Sequence, residues 1–301
     1  MRHPDHIPGC RRRTAARPCL AALALLAAGG CSPMRYSVDH VMVPLLENSR
    51  EAAFLSDDIQ TFRDASPSNL FLLEGMINTS PDNPDLRLTA AMLYFSYAFA
   101  FVEDRDEEYA SLLYRKGRDH AYAVLVRNRA VPADPGVPFS EFEGRLPDLR
   151  PRDAEAAVWA AVNWAQHIGL HLDETSVMRD IPKATGLLER AAELDPGYFA
   201  GLSFVTIGSL ESFKPPLMGG DPEASAAAFE RAFALGGNSF LLARYFYARF
   251  YAYRMLDDVL FAETLEGVID AELPDDDPYR LLNLIAKDKA RSLLKEKDDL
   301  F

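Results

Sequence analysis

His167 and His171 stand four residues apart, with Asp173 and Glu174 just beyond them. On a helix that spacing puts both imidazoles on one face, and two imidazoles near a carboxylate can hold zinc. The His-Glu-x-x-His arrangement of metallohydrolases also needs a glutamate beside the first histidine, and Ile168 fills that place. A metal-dependent hydrolase built on this pair is therefore set below a structural or surface role. Gly219-Gly220 lies between prolines and a helix cap without the lysine of a phosphate-binding loop, and no Gly-x-Ser-x-Gly elbow occurs. The acidic runs Glu107-Glu108 and Asp275-Asp276-Asp277 sit in polar stretches and read as solvated faces or caps. No catalytic residue, metal or cofactor is expected, and the chain reads as a non-enzyme.

Binding chemistry is the better prospect. Tyr94, Tyr97 and Phe101 in one apolar run, and Trp159, Asn163, Trp164 and His167 in another, mix rings with a few polar tips. Ligand cavities are mostly apolar with a few placed polar groups, and Tyr and Trp also suit partner surfaces. Lys214, beside Pro215-Pro216, could meet the carboxylate of an organic acid. The competing reading is core packing between stacked helices for the aromatic residues and an exposed loop for Lys214.

Helices must carry these residues. Leu86, Ala90, Tyr94, Tyr97 and Phe101 step by 4, 4, 3 and 4, one face of a helix. Residues 239–256 are apolar almost all round, as in a helix buried on several sides or covered by another subunit. No alternating strand pattern stands out. Ser80-Pro81-Asp82-Asn83-Pro84 is a loop into a helix, and five prolines make 131–152 a long irregular loop. At the end of a further loop, Asp221 can cap, Pro222 fits the first turn and Glu223 favours the positive helix terminus. Short segments containing Glu74, Glu189, Glu230 and Glu266 each precede a turn and a new helix; the glutamates lie 115, 41 and 36 residues apart. The last two spacings approach the 34-residue period of tetratricopeptide repeats, so the expected fold is all-α, with antiparallel helix pairs stacked as divergent repeats.

Cysteine placement sets the address. All three cysteines lie in the first 31 residues. Five arginines precede or flank a ten-residue apolar stretch, Cys19–Ala28, too short to span a bilayer, and Ala28-Gly29-Gly30 leads into Cys31. This resembles the lipobox of bacterial lipoproteins, cut before a cysteine that then carries lipid. Arg12-Arg13 lacks the apolar residues that usually follow a twin-arginine pair. The expected organisation is a signal peptide over 1–30, a tether with little pattern over 31–50 and one helical domain over 51–301. Loss of 1–30 removes five arginines and one aspartate, taking the formal charge from −13 to −17. So acidic a body disfavours nucleic acid and anionic headgroups as partners. Ser32, in place of the aspartate that often holds lipoproteins at the inner membrane, favours the outer membrane.

Several segments together resemble a known family: Ala90–Phe101, Leu113-Tyr114-Arg115-Lys116-Gly117, Trp159 and Trp164, Pro215–Glu223 and Leu284–Ala290. Across most of residues 50–301 the chain is similar to the T component of TRAP transporters (TatT). The resemblance implies a periplasmic lipoprotein of tetratricopeptide-like helix pairs. It implies a homotrimer that associates with the substrate-binding P component of an ion-driven uptake system and helps handle a small organic ligand, without enzymatic activity. The alternative is a general envelope scaffold that binds other periplasmic proteins or peptides in a concave groove.

Overall fold

A computed structural model describes residues 33–213, 220–237 and 239–301; Cys31 and Lys214 lie outside them. The described residues are helical, with antiparallel packed pairs and no strands. The chain opens with α1 (Pro33–Ser37), a π turn (Val38–Met42) and α2 (Val43–Phe54). The main body follows: α3 (Ile59–Thr79), α4 (Pro84–Tyr97), α5 (Glu107–Arg127), α6 (Ala154–Gly169), α7 (Ile181–Leu194) and α8 (Leu202–Ser212). It ends with α9 (Pro222–Gly236), α10 (Leu241–Phe246), α11 (Asp258–Asp270) and α12 (Arg280–Lys295).

From α3 to α9 each numbered helix packs on its successor, as stacked pairs require, and α12 folds back against α10, α11, α2 and α3. Glu74, Glu189, Glu230 and Glu266 fall on α3, α7, α9 and α11, the first helix of four pairs. The long gap between the first two holds α4, α5, α6 and the proline-rich segment. That segment is irregular apart from one short helix, Phe139–Glu143, and two 3-10 turns.

Helix starts follow local chemistry. The side chains of Asp58, Asn83, Asp106, Asp221 and Asp257 each accept a backbone N–H in the first turn of the helix they precede. Such caps satisfy donors that a helix cannot pair internally, each typically worth about 1 kcal/mol. Pro84 and Pro222 occupy first-turn positions where no N–H is missed.

Residues 31–50, expected to be a tether, are helical from Pro33 onward. Val38, Met42 and Leu46 step by four and turn toward the core, with Val38 buried. Asp39 Oδ1 accepts hydrogen bonds from Ser80 Oγ (2.6 Å) and Asn83 Nδ2 (2.7 Å), pinning this segment to the α3–α4 turn. Val43 is buried as well, and these few apolar residues, spaced among polar neighbours, are easily passed over.

Two further π turns redirect the faces of the helices they extend. Ala98–Val102 prolongs α4 and Tyr247–Ala252 prolongs α10. A π turn takes more residues per turn than an α-helix, so it rotates the buried face. Phe99 and Val102 are therefore buried, while Phe101, extrapolated onto the core face from the α-helical period, is only half-buried.

Candidate functional site

The aromatic residues singled out by spacing are mostly in the core and do not share one cavity. Tyr94 is buried, donates to Glu74 Oε1 (2.6 Å) and stacks on His120. Tyr97 and Phe101 are half-buried and pack on each other, with Phe62 against Phe101. Asn163 is fully buried; its Nδ2 donates to Trp159 O (2.9 Å) and Ala91 O (3.2 Å), binding α6 to α4. Trp164, on the far side of α6, donates to Asp180 Oδ2 (3.2 Å) and meets Tyr122 and Phe142 edge-on.

His167 and His171 do come together. Ser111 Oγ lies 2.9 Å from His167 Nδ1 and 2.8 Å from His171 Nε2, and His171 Nδ1 is 3.1 Å from Glu174 Oε1. With both rings neutral, one proton order satisfies every contact: His167 donates to Ser111, Ser111 to His171, and His171 to Glu174. Burial, then the charges of His171, Arg118 and Arg115, hold His167 down at about 4. A serine, a histidine and a carboxylate stand in line, but the two N–H groups just before the serine in the chain are not free to serve as an oxyanion hole. The N–H groups of Tyr109 and Ala110 are both taken by Asp106. Among the described residues no three His, Cys, Asp or Glu side chains converge to hold a metal.

Trp159 leads to a more promising place. Its indole Nε1 donates to Tyr198 Oη (2.8 Å), and the Glu155 carboxylate lies near the same hydroxyl. Tyr198 opens the turn between α7 and α8, where Phe199 (φ 47°, ψ 54°), Ala200 (φ 55°, ψ 32°) and Gly201 (φ 79°, ψ 29°) are all left-handed. Only glycine adopts that conformation freely; for the other two it costs about 1–2 kcal/mol each. The cost is offset by packing. The Phe199 ring contacts Trp159 (centroids 5.3 Å), Tyr279 (5.5 Å), Phe240 (5.9 Å) and Phe54 (6.0 Å). Backbone strain held by surrounding structure is a recurrent mark of ligand clamps and switches.

This turn forms one wall of a cavity of about 580 Å³ beneath α2, lined among others by Arg50, Phe54, Met92, Glu155, Tyr198 and Phe199. A second, largely apolar cavity of about 300 Å³ lies on the α3–α4 side of α2 and shares Arg50, Phe54 and Met92. Both volumes are in or near the range of small-molecule sites. A cavity of about 590 Å³ between α9, α10 and α11 is similar in size but has no strained wall. None of the described aromatic candidates lines these spaces.

A family model for the TRAP transporter T-component matches residues 56–301. The chain belongs to that family. It is also similar to a protein of Treponema pallidum (strain Nichols) described as "Uncharacterized protein", with 26% identity over 243 residues, 70% of this chain and 75% of the relative. The family is one of transporter accessory components and not of enzymes. Within this T-component chain the family-like segments Ala90–Phe101 and Leu284–Ala290 meet at a buried charge cluster. Lys289 Nζ on α12 donates to Glu103 Oε1 (2.7 Å), Asp104 Oδ1 (2.9 Å) and the Phe99 carbonyl in the π turn after α4 (2.9 Å). Arg249, in the π turn after α10, donates to Glu103 Oε1 (2.6 Å), and Tyr114 to Glu103 Oε2 (2.6 Å). Burial pushes the Glu103 carboxyl up, but Arg249 and Lys289 outweigh it and hold it at about 2. The cluster joins the beginning and end of the T-component fold. Neither it nor the Phe199 turn stands out in the sequence; Gly197 and Gly201 are the only local signs of an unusual turn.

Proposed function

We propose that the protein is a lipid-anchored periplasmic component of a TRAP-type uptake system, binding the substrate-binding P component and holding a small organic ligand beneath α2. The observation that carries this reading is the family match over residues 56–301. The cavity walled by the strained Phe199 turn supports the ligand-holding part of this reading. No helix among the described residues is long and apolar enough to cross a membrane, and the anchor is assigned to a lipid on Cys31, at the outer membrane. The homotrimer belongs to the same reading. Phe71 (81% exposed) and Leu72 on α3, with Val41 and Leu45, offer exposed apolar side chains to a second subunit or to the P component.

The test is association in solution. Full-length protein in mild detergent is mixed with a TRAP P protein of the same organism and run on a sizing column; a co-migrating complex is expected. No complex, together with recovery of envelope assembly factors from an extract, would replace this reading with the general scaffold. Cys31→Ser should abolish lipid labelling and release the protein from membranes; unchanged retention refutes the anchor.

A further inference from the structure

The walls of the cavity beneath α2 carry both signs of charge. Arg50 is half-buried on α2, lines both this cavity and the apolar one beside it, and makes no hydrogen bond or ion pair among the described residues. Its charge reaches Tyr198 and Asp85 without contact at ion-pair distance. A half-buried guanidinium whose nitrogens still reach solvent and hold no internal partner is free to pair with an anion that enters the cavity. One turn along α2 from Arg50, Phe54 makes a corner of rings with the facing Phe199 turn. Phe54 and Phe199 meet edge-on, and Tyr198 tilts against Phe199 at 6.2 Å. Aromatic faces attract cations, and acidic groups stand close: Glu155 beside Tyr198, with the exposed Glu47 and Glu51.

These features select against singly signed solutes. A dicarboxylate would bring two negative charges to one arginine and three glutamates. A simple cation would satisfy the rings and Glu155 but leave Arg50 unpaired. Resting on the ligand-binding reading of the T component, we propose that this cavity takes a small zwitterion. Its carboxylate would pair with Arg50, and its ammonium group would lie against Phe54, Tyr198 and Phe199 beside Glu155. The strained turn then has a purpose. Left-handed backbone at Phe199 is what places its ring in the corner between Phe54 and Trp159.

The test uses full-length protein in detergent and calorimetric titration with four probes: glycine betaine and proline as zwitterions, succinate as a dianion, choline as a cation. Saturable binding is expected for at least one zwitterion, tighter than for succinate or choline. Arg50→Gln, on a partly exposed helix face, should weaken zwitterion binding roughly tenfold or more, the usual loss when a charge-assisted hydrogen bond is removed. It should leave choline binding no weaker, since the charge removed repels a cation. Glu155→Gln and Phe54→Ala should weaken both zwitterion and choline. If succinate binds more tightly than either zwitterion and Arg50→Gln abolishes that binding, the zwitterion assignment fails while the ligand-binding reading stands. If no probe binds while the P component still associates, both the zwitterion assignment and the placing of a ligand beneath α2 fail, and the partner reading survives.

Discussion

Gly117→Ala should destabilise the protein, against the sign that helix propensity alone would give. Gly117 is buried in the interior of α5, where alanine is ordinarily better by about 1 kcal/mol. Here an added Cβ would lie 2.3 Å from Asn163 Oδ1, 2.7 Å from its Cγ and 3.0 Å from its Nδ2. Asn163 Oδ1 has no hydrogen-bond partner because it faces the space that glycine leaves open. The amide cannot simply swing away, since Nδ2 holds the carbonyls of Trp159 and Ala91 and the residue is fully buried. Overpacking costs about 1–3 kcal/mol, and giving up the hydrogen bonds of a buried amide costs about 1–3 kcal/mol more. Less the propensity gain, a net loss of about 1–5 kcal/mol is expected as a lower urea midpoint with an unchanged slope. Asn163→Ala removes the obstructing atoms. The Gly117→Ala/Asn163→Ala double variant should then be more stable than the sum of the single losses by at least about 1 kcal/mol. A neutral or stabilising Gly117→Ala, or strictly additive losses, refutes the reasoning.

Other consequences can be measured in the same unfolding assay. Ala200→Gly should stabilise by about 1 kcal/mol by relieving left-handed strain; a loss would mean that the buried methyl contributes more than the strain it carries. Glu103→Gln should cost about 3–5 kcal/mol at neutral pH by leaving Lys289 and Arg249 without their shared carboxylate. Because the folded Glu103 value, about 2, lies below the ordinary 4.5, its contribution is complete above 4.5 and fades as pH falls from 4.5 toward 2. Glu103→Gln should remove that arm of the pH profile, and an unchanged arm would assign it to other carboxylates. His167 acts in a higher window. Folded it titrates at about 4 and unfolded near 6.5, so the unfolded chain alone gains a proton as pH falls between them. Stability should therefore decline from pH 6.5 toward 4, and His167→Gln should flatten the decline.

The sequence disclosed the helices and withheld the site, for a physical reason. A helix is specified by neighbours three and four residues away, so the step from Leu86 to Tyr94 is readable in one short window. The same reading fails at Phe101 because the π turn at 98–102 inserts extra backbone and rotates the face, and nothing in Ala98–Val102 distinguishes it from α-helical sequence. It succeeds in part at His167 and His171, whose rings share one hydroxyl, but that hydroxyl belongs to Ser111, 56 residues earlier. The charge cluster is further from reach, since Glu103 is 146 residues from Arg249 and 186 from Lys289.

The cavity beneath α2 is least legible of all. Its walls come from α2, from Glu155 on α6 and from the turn after α7. The first carries too short an apolar stripe to be told from a tether, and the last owes its shape to tertiary packing around Phe199. Of the Tyr and Trp residues whose helical spacing suggests a ligand box, Trp159 supports that wall from behind, holding Tyr198 by its indole and Phe199 by ring contact. Periodic aromatic residues are repeated because stacked helices need them, and repetition of that kind marks core. The wall proposed to meet a ligand is built where the repeat is broken, at a turn whose backbone no helix would choose.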